Sequence, residues 1–164
     1  MSNSRRLGLV LCGLCAMRLG AATVSFLVIE TGLPEGAGTG AYSGLWESGL
    51  LDVFFEAGHI VSNAPVLRLA QKPAGVFPDE ALPDLAGAVE GGADFFILAL
   101  LDYSAPPNGL IQKPRHVSLR LFQTGSRRLL YEQQYNDTGP DNPDLAYESL
   151  KRAARDLVPH LNDK

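Results

Sequence analysis

The chain of 164 residues has little cysteine, and both residues, Cys12 and Cys15, stand close to its start. Past residue 15 no disulfide framework and no thiolate metal site can be built. Histidine is scarce as well. His59, His116 and His160 fall on separate stretches with no metal-ligand spacing, so no metal is expected. Basic charge is in deficit: 14 Lys and Arg stand against 18 Asp and Glu, a net charge of −4. An acidic domain argues against nucleic acid or an anionic membrane as partner. Long apolar runs are missing. Leu7 to Met17 is the longest stretch of that kind and is far short of the ~20 residues that a membrane-spanning helix needs. No G-x-S-x-G nucleophile turn occurs, and Asp137, Asp141 and Asp144 lack the spacing of a calcium loop.

What is present begins with the first twenty-two residues. Asn3-Ser4-Arg5-Arg6 is a basic start, Leu7 to Met17 is apolar, and Leu19-Gly20-Ala21-Ala22 is rich in small residues. That order is the pattern of an export signal. Residues 1–22 are therefore read as a signal peptide and 23–164 as a single domain. The mature chain would carry no cysteine. Arg5, Arg6 and Arg18 would leave with the signal, so 11 basic residues would face 18 acidic ones, a net charge of −7. Leu11 precedes Cys12 and Leu14 precedes Cys15, where a lipidation site would need a small residue. The competing reading of this segment is a buried N-terminal element of a cytosolic protein.

Strand and helix patterns alternate along the remainder. Val24 to Ile29 is β-branched and apolar, the composition of a strand buried on both faces. A Gly- and Pro-rich loop, 32–40, leads to apolar residues at Tyr42, Leu45, Trp46, Leu50, Val53 and Phe54, the stripe of an amphipathic helix that Gly58 would stop. His59 to Ser62 reads as a short strand turned by Asn63-Ala64-Pro65. Residues 71–83 read as a loop, and Pro83 with Asp84 opens a short helix that Gly91-Gly92 ends. Phe95 to Tyr103 is a second buried strand, predicted to neighbour the first. His116 to Gln123 and Leu129 to Tyr135 alternate about a Thr124-Gly125 turn, which predicts an antiparallel hairpin with one solvated face. Asn142-Pro143-Asp144 starts a closing helix whose inner stripe is Leu150, Ala153, Ala154, Leu157 and Leu161. The fold class that follows is α/β, or an α+β variant: a mixed sheet with parallel core strands and a C-terminal β-hairpin, with helices packed on it.

Two strings suggest an enzyme. Thr31-Gly32-Leu33-Pro34-Glu35-Gly36-Ala37-Gly38 follows a strand, and Tyr147-Glu148-Ser149-Leu150-Lys151 stands at a helix start. Together they resemble the short-chain dehydrogenase family. The resemblance implies an NAD(P)-binding oxidoreductase, with Gly32, Gly36 and Gly38 against the dinucleotide, Tyr147 as proton donor and Lys151 lowering its pKa. Three family features are missing. No Ser occurs between Gln133 and Ala146, Ala99 to Ser104 reads Ala-Leu-Leu-Asp-Tyr-Ser, and no acid follows the second strand.

A broader pattern spans the mature chain. A strand ends at Glu30, Phe54 to Val61 runs helix–Gly–strand, Gly92-Ala93-Asp94 enters a buried strand, and Thr124-Gly125 joins a strand pair ahead of a last helix. This order resembles the bacterial envelope α/β domains of the TolB N-terminal domain, CsgG and LpoB. The resemblance implies an exported, non-enzymatic protein-binding or assembly module in the periplasm or at the outer membrane. It implies no cofactor, and as partner an envelope protein or a second copy. Lys113, Arg115, Arg120, Arg127 and Arg128 cluster on the predicted hairpin as a candidate surface for an acidic partner.

Overall fold

A computed structural model of the chain describes residues 20–33, 41–103, 113–136 and 143–162. Residues 1–19, which hold most of the expected export signal, lie outside the described residues.

The central strand is β1, Thr23–Thr31, buried along almost its whole length. Its neighbour is β4, Phe95–Asp102, which pairs with it in parallel from Val24↔Phe95 to Thr31↔Asp102. The two most apolar segments thus lie side by side, as the sequence predicts. Outside β4 runs β5, His116–Gln123, antiparallel to it, and then β6, Arg128–Tyr135, antiparallel to β5 and at the sheet edge.

On the other side of β1 lie β2, Ile60–Asn63, and β3, Leu67–Leu69, both parallel to β1. The sequence patterns do not predict β3. The two strands behave as one edge interrupted at Pro65. Ala64 N still donates to Phe26 O at 2.8 Å, and pairing resumes at Ile29↔Leu67. Proline has no N–H to give the ladder, so an edge is where such a break is tolerated.

Helices α1, Ala41–Glu56, and α3, Pro143–Arg155, pack together on one face of the sheet. Trp46, Leu50 and Phe54 of α1 and Leu150, Ala154 and Leu157 from the α3 region meet Val24, Phe26 and Val28 of β1, with Ile97 and Leu119 beside them. Gly49 allows the close approach of the two helices. A Cβ there would stand 2.0 Å from the Leu150 Cδ2. Helix α2, Leu82–Glu90, covers the opposite face, where Leu85 and Ala88 meet Leu27, Ile29, Phe96 and Leu98.

The fold is therefore a three-layer α/β domain, with β1 and β4 buried on both faces. Helix α1 ends at Glu56, and Gly58 just past it takes a φ of +83°, which glycine adopts without the steric cost of a side chain.

The hairpin face predicted to be solvated is partly covered. Phe77, in the segment before α2, packs edge-on against Phe122 with ring centres 5.0 Å apart. Arg120 Nη1 donates to the carbonyls of Gly75 and Val76 at 3.2 and 2.8 Å. A segment rich in Pro and acid reads as loop by composition, yet one aromatic is enough to fasten it to the sheet.

Candidate functional site

Polar side chains gather at one end of the sheet, where the parallel strands finish. Ligands of open α/β sheets bind at this carboxyl end. On the α1 side, Glu30 closes β1 with its side chain fully buried. Arg68, its register partner on β3, donates through Nε to Glu30 Oε2 at 3.0 Å. The buried Tyr103 hydroxyl, just past β4, approaches Glu30 Oε1 at 3.5 Å. Burial first, and the Glu30 charge second, push the Tyr103 phenol far above its ordinary range, so it is a fixed proton donor at physiological pH.

On the α2 side a polar row crosses three strands: Thr31 is in register with Asp102, and Asp102 with His116. His116 Nδ1 lies 3.0 Å from Asn136 Oδ1. The Thr31 hydroxyl is buried and has no hydrogen-bond partner among the described residues. The arrangement can orient hydrogen bonds and balance charge. Among the described residues no group of three or more His, Cys, Asp or Glu side chains gathers as a metal site.

These residues were not singled out from the sequence as a site. The available signal was positional: Glu30-Thr31 and Asp102-Tyr103 each end a buried apolar run. Their convergence depends on β1 and β4 being parallel and in register, and on β3, which the sequence patterns left out.

The residues suggested by the dehydrogenase strings are distributed differently. Gly32 follows β1 with φ +75°, whereas Gly36 and Gly38 lie outside the described residues. Tyr147 and Lys151 sit on α3 against the outer flank of α1. The Tyr147 hydroxyl donates to Asp52, and Lys151 Nζ pairs with Glu56 Oε1 at 2.9 Å. Asp52 is eleven residues past Ala41, roughly 16 Å down the helix from the end that the Gly-rich loop enters. The hydrogen bond to Asp52, followed by burial, pushes the Tyr147 pKa up to about 12. A dehydrogenase proton donor needs the opposite direction.

The basic residues are spread along the hairpin. Arg127 and Arg128 lie at its turn, while Lys113 and Arg115 lie before the far end of β5, roughly 25 Å away. Arg120, between them, is bound by Glu132 at 2.9 Å and by the two loop carbonyls. The structure brings the two ends together with neither each other nor Arg120.

A small cavity of about 40 Å³ lies between the helix pair and the hairpin, lined by Tyr42, Trp46, Val117, Tyr135, Leu150 and Ala153 among others. Trp46 and Tyr42 are thus core residues bordering a packing gap. No described helix is long and apolar enough to cross a membrane.

No known family model matches the chain, and no curated protein matches it. Solved structures do share its fold. PelC of Paraburkholderia phytofirmans, solved as a dodecamer, superposes at a TM-score of 0.54 with 12% identity over 82% of this chain and 86% of that one. A point variant of the same dodecamer gives 0.51 with 12% identity, over 88% of this chain and 90% of that one. TolB from Acinetobacter baumannii aligns at 0.45 with 10% identity, covering 87% of this chain and 29% of that one. At such identity the likeness to PelC is one of fold, and that fold is the α/β domain described above.

Proposed function

We propose that this protein is an exported module of the bacterial cell envelope that works by binding protein, either an envelope partner or further copies of itself, and performs no catalysis. The observation that carries this reading is the β6 edge. Strand β6 is eight residues long and pairs only with β5, and no described segment covers its outer flank. Most of its side chains are exposed, Leu129 among them. An uncovered strand of this length offers a row of backbone N–H and C=O groups to an added strand. Two further observations support it. PelC, which shares the fold, is a dodecamer. The basic residues at the two ends of β6, Arg127 and Arg128 at one and Lys113 and Arg115 at the other, would steer an acidic partner toward that edge, and a second copy of this chain is itself acidic. Arg120 would hold the hairpin face in shape between them.

The test is cross-linking and native mass spectrometry of the protein in isolated envelope, repeated with Leu129→Lys and Gln133→Lys. Charge placed on an edge strand blocks strand addition. A defined oligomer or complex that falls at least about tenfold in the variants, with their melting temperatures held, is the expected result. A monomer without partners, or complexes indifferent to both substitutions, would overturn it.

A further inference from the structure

We propose that Asp94 is the receptor for a new α-amino terminus at Thr23, made when the leader is cut between Ala22 and Thr23. The inference rests on the export reading above, which puts the cut after Ala22, and adds what the folded domain does with the new end.

The geometry is a two-bond clamp where β1 and β4 begin. Thr23 N donates to Asp94 Oδ2 at 2.9 Å, and Asp94 N donates to Thr23 O at 2.8 Å. The aspartate stands just ahead of β4, and the Gly92 turn with φ +76° carries the chain into it. A carboxylate is already aimed at the nitrogen that cleavage would free.

The sequence points to the same bond. A signal peptidase reads small residues at the last and third-last positions before the cut. A cut after Ala22 places Ala22 and Gly20 there. A cut after Ala21 would place Leu19 at the third-last position, and a cut after Gly20 would place Arg18 there. Gly20 and Ala21 are exposed, and a side chain at Gly20 would meet nothing within 4 Å.

In the cleavage, water adds across the Ala22–Thr23 peptide bond. Its oxygen goes to the Ala22 carbonyl carbon, which leaves as a carboxylate. The Thr23 nitrogen becomes an amine, protonated near neutral pH. An amide–carboxylate hydrogen bond is thereby replaced by an ammonium–carboxylate pair, which is the stronger contact.

Three contacts are given up. Ala22 is buried, its N donates to His59 Nδ1 at 3.2 Å, and its O accepts from Ile60 N at 2.9 Å. Ile60 is exposed and His59 only half-buried, so water replaces Ala22 at both. The other titratable or charged groups toward this end of the sheet are His59, Glu56 at the end of α1 with Lys151 and Arg155 of α3 against it, Asp156 and His160 beyond α3, Glu90 at the end of α2, and Arg127 and Arg128 in the hairpin turn.

The pH signature has a definite sign. A free α-amine titrates at about 7.7–8.0, and the carboxylate beside it raises that value. A raised amine adds stability that is complete below its ordinary pKa and is lost as pH rises through the raised one. In a chain that starts at Gly20, the Thr23 nitrogen is an amide and loses nothing over that range.

The test has two parts. Intact-mass measurement and N-terminal sequencing of the protein from the envelope fraction of an exporting bacterium should give Thr23 as first residue. Melting curves are then recorded for the Thr23-start and Gly20-start chains, each with Asp94 and with Asp94→Asn. At pH 6 the substitution should lower the melting temperature of the Thr23-start chain by about 3 °C more than that of the Gly20-start chain, and at pH 10 the difference should vanish. N-terminal acetylation of the Thr23-start chain should reproduce the loss without changing a side chain. An exported chain starting at any other residue would overturn the cut site and leave export standing. Full-length protein confined to the cytosol would overturn both. Equal losses in the two chains at pH 6 would overturn the ion pair.

Discussion

Glu30 is the residue whose surroundings depart furthest from its type. A carboxylate with no exposed side-chain surface needs compensation, and it receives Arg68 Nε at 3.0 Å and a long contact from the Tyr103 hydroxyl. Removing one partner of a buried pair is more harmful than removing both, because the remaining charge keeps its desolvation penalty without its attraction. Arg68→Ala should therefore destabilise the domain by about 3 kcal/mol, at the low end for a buried pair because the Arg68 side chain is 39% exposed. Glu30→Gln added to that variant should restore more than half of the loss, read from urea unfolding at pH 7. A double variant no better than Arg68→Ala would mean that packing, not charge, holds this corner. Nothing in the composition marks Glu30 as buried. Its place directly after Val24 to Ile29 is the one hint, and its partner lies on a strand too short and too interrupted for a pattern to register.

Among the elements, the α1–α3 pair is decided by a glycine. Helix propensity alone favours Gly49→Ala by about 1 kcal/mol. The neighbouring helix opposes it, since the added methyl would overlap the buried Leu150. Overpacking of that kind costs about 1–3 kcal/mol, so a net loss is expected. Leu150→Val in the same chain should recover much of it, and a Gly49→Ala variant more stable than the parent would mean that α3 can slide away at no cost.

The hairpin offers a pH test. Arg120, through its hydrogen bond to Glu132, holds that carboxyl below the ordinary carboxylate range. A depressed acid adds stability that is present above its unfolded pKa and is lost as pH falls through its lowered folded value. Glu132→Gln should therefore be less stable than the parent at pH 7, by no more than about 0.5 kcal/mol because the pair is partly exposed, and the two should converge in acid. A difference that persists unchanged in acid would remove the ion pair as its cause.

For the molecule as a whole, the question is what the sheet is for. Its carboxyl end carries polar side chains, and β6 leaves an edge open. The Tyr and Lys of the dehydrogenase-like string are tied to Asp52 and Glu56 on the helix pair. Titration with NADPH, followed by energy transfer from Trp46, the one tryptophan, should show no saturable binding. Micromolar saturation abolished by Tyr147→Phe would favour the oxidoreductase over the binding module.

The sequence by itself determined the elements. Hydrophobic period, proline at helix starts and glycine at helix ends are local, so β1, α1, α2 and the hairpin could be read within a few residues of their bounds, and α3 at its start; the expected helix to Leu161 ends instead at Arg155, with a 3-10 turn over Val158–Asn162. It also determined that β1 and β4 lie side by side, because two runs without a polar face have nowhere to go except the centre of a sheet. The tertiary structure alone decided what meets what. It broke one edge into β2 and β3 at Pro65, set Arg68 beside Glu30 and aligned Thr31, Asp102 and His116. It placed Tyr147 on Asp52, and separated Arg127 and Arg128 from Lys113 and Arg115 by the length of a strand. Each of these depends on register and crossover between segments tens of residues apart. A local pattern carries no information about either; on the strands, a shift of one residue would turn a side chain to the opposite face.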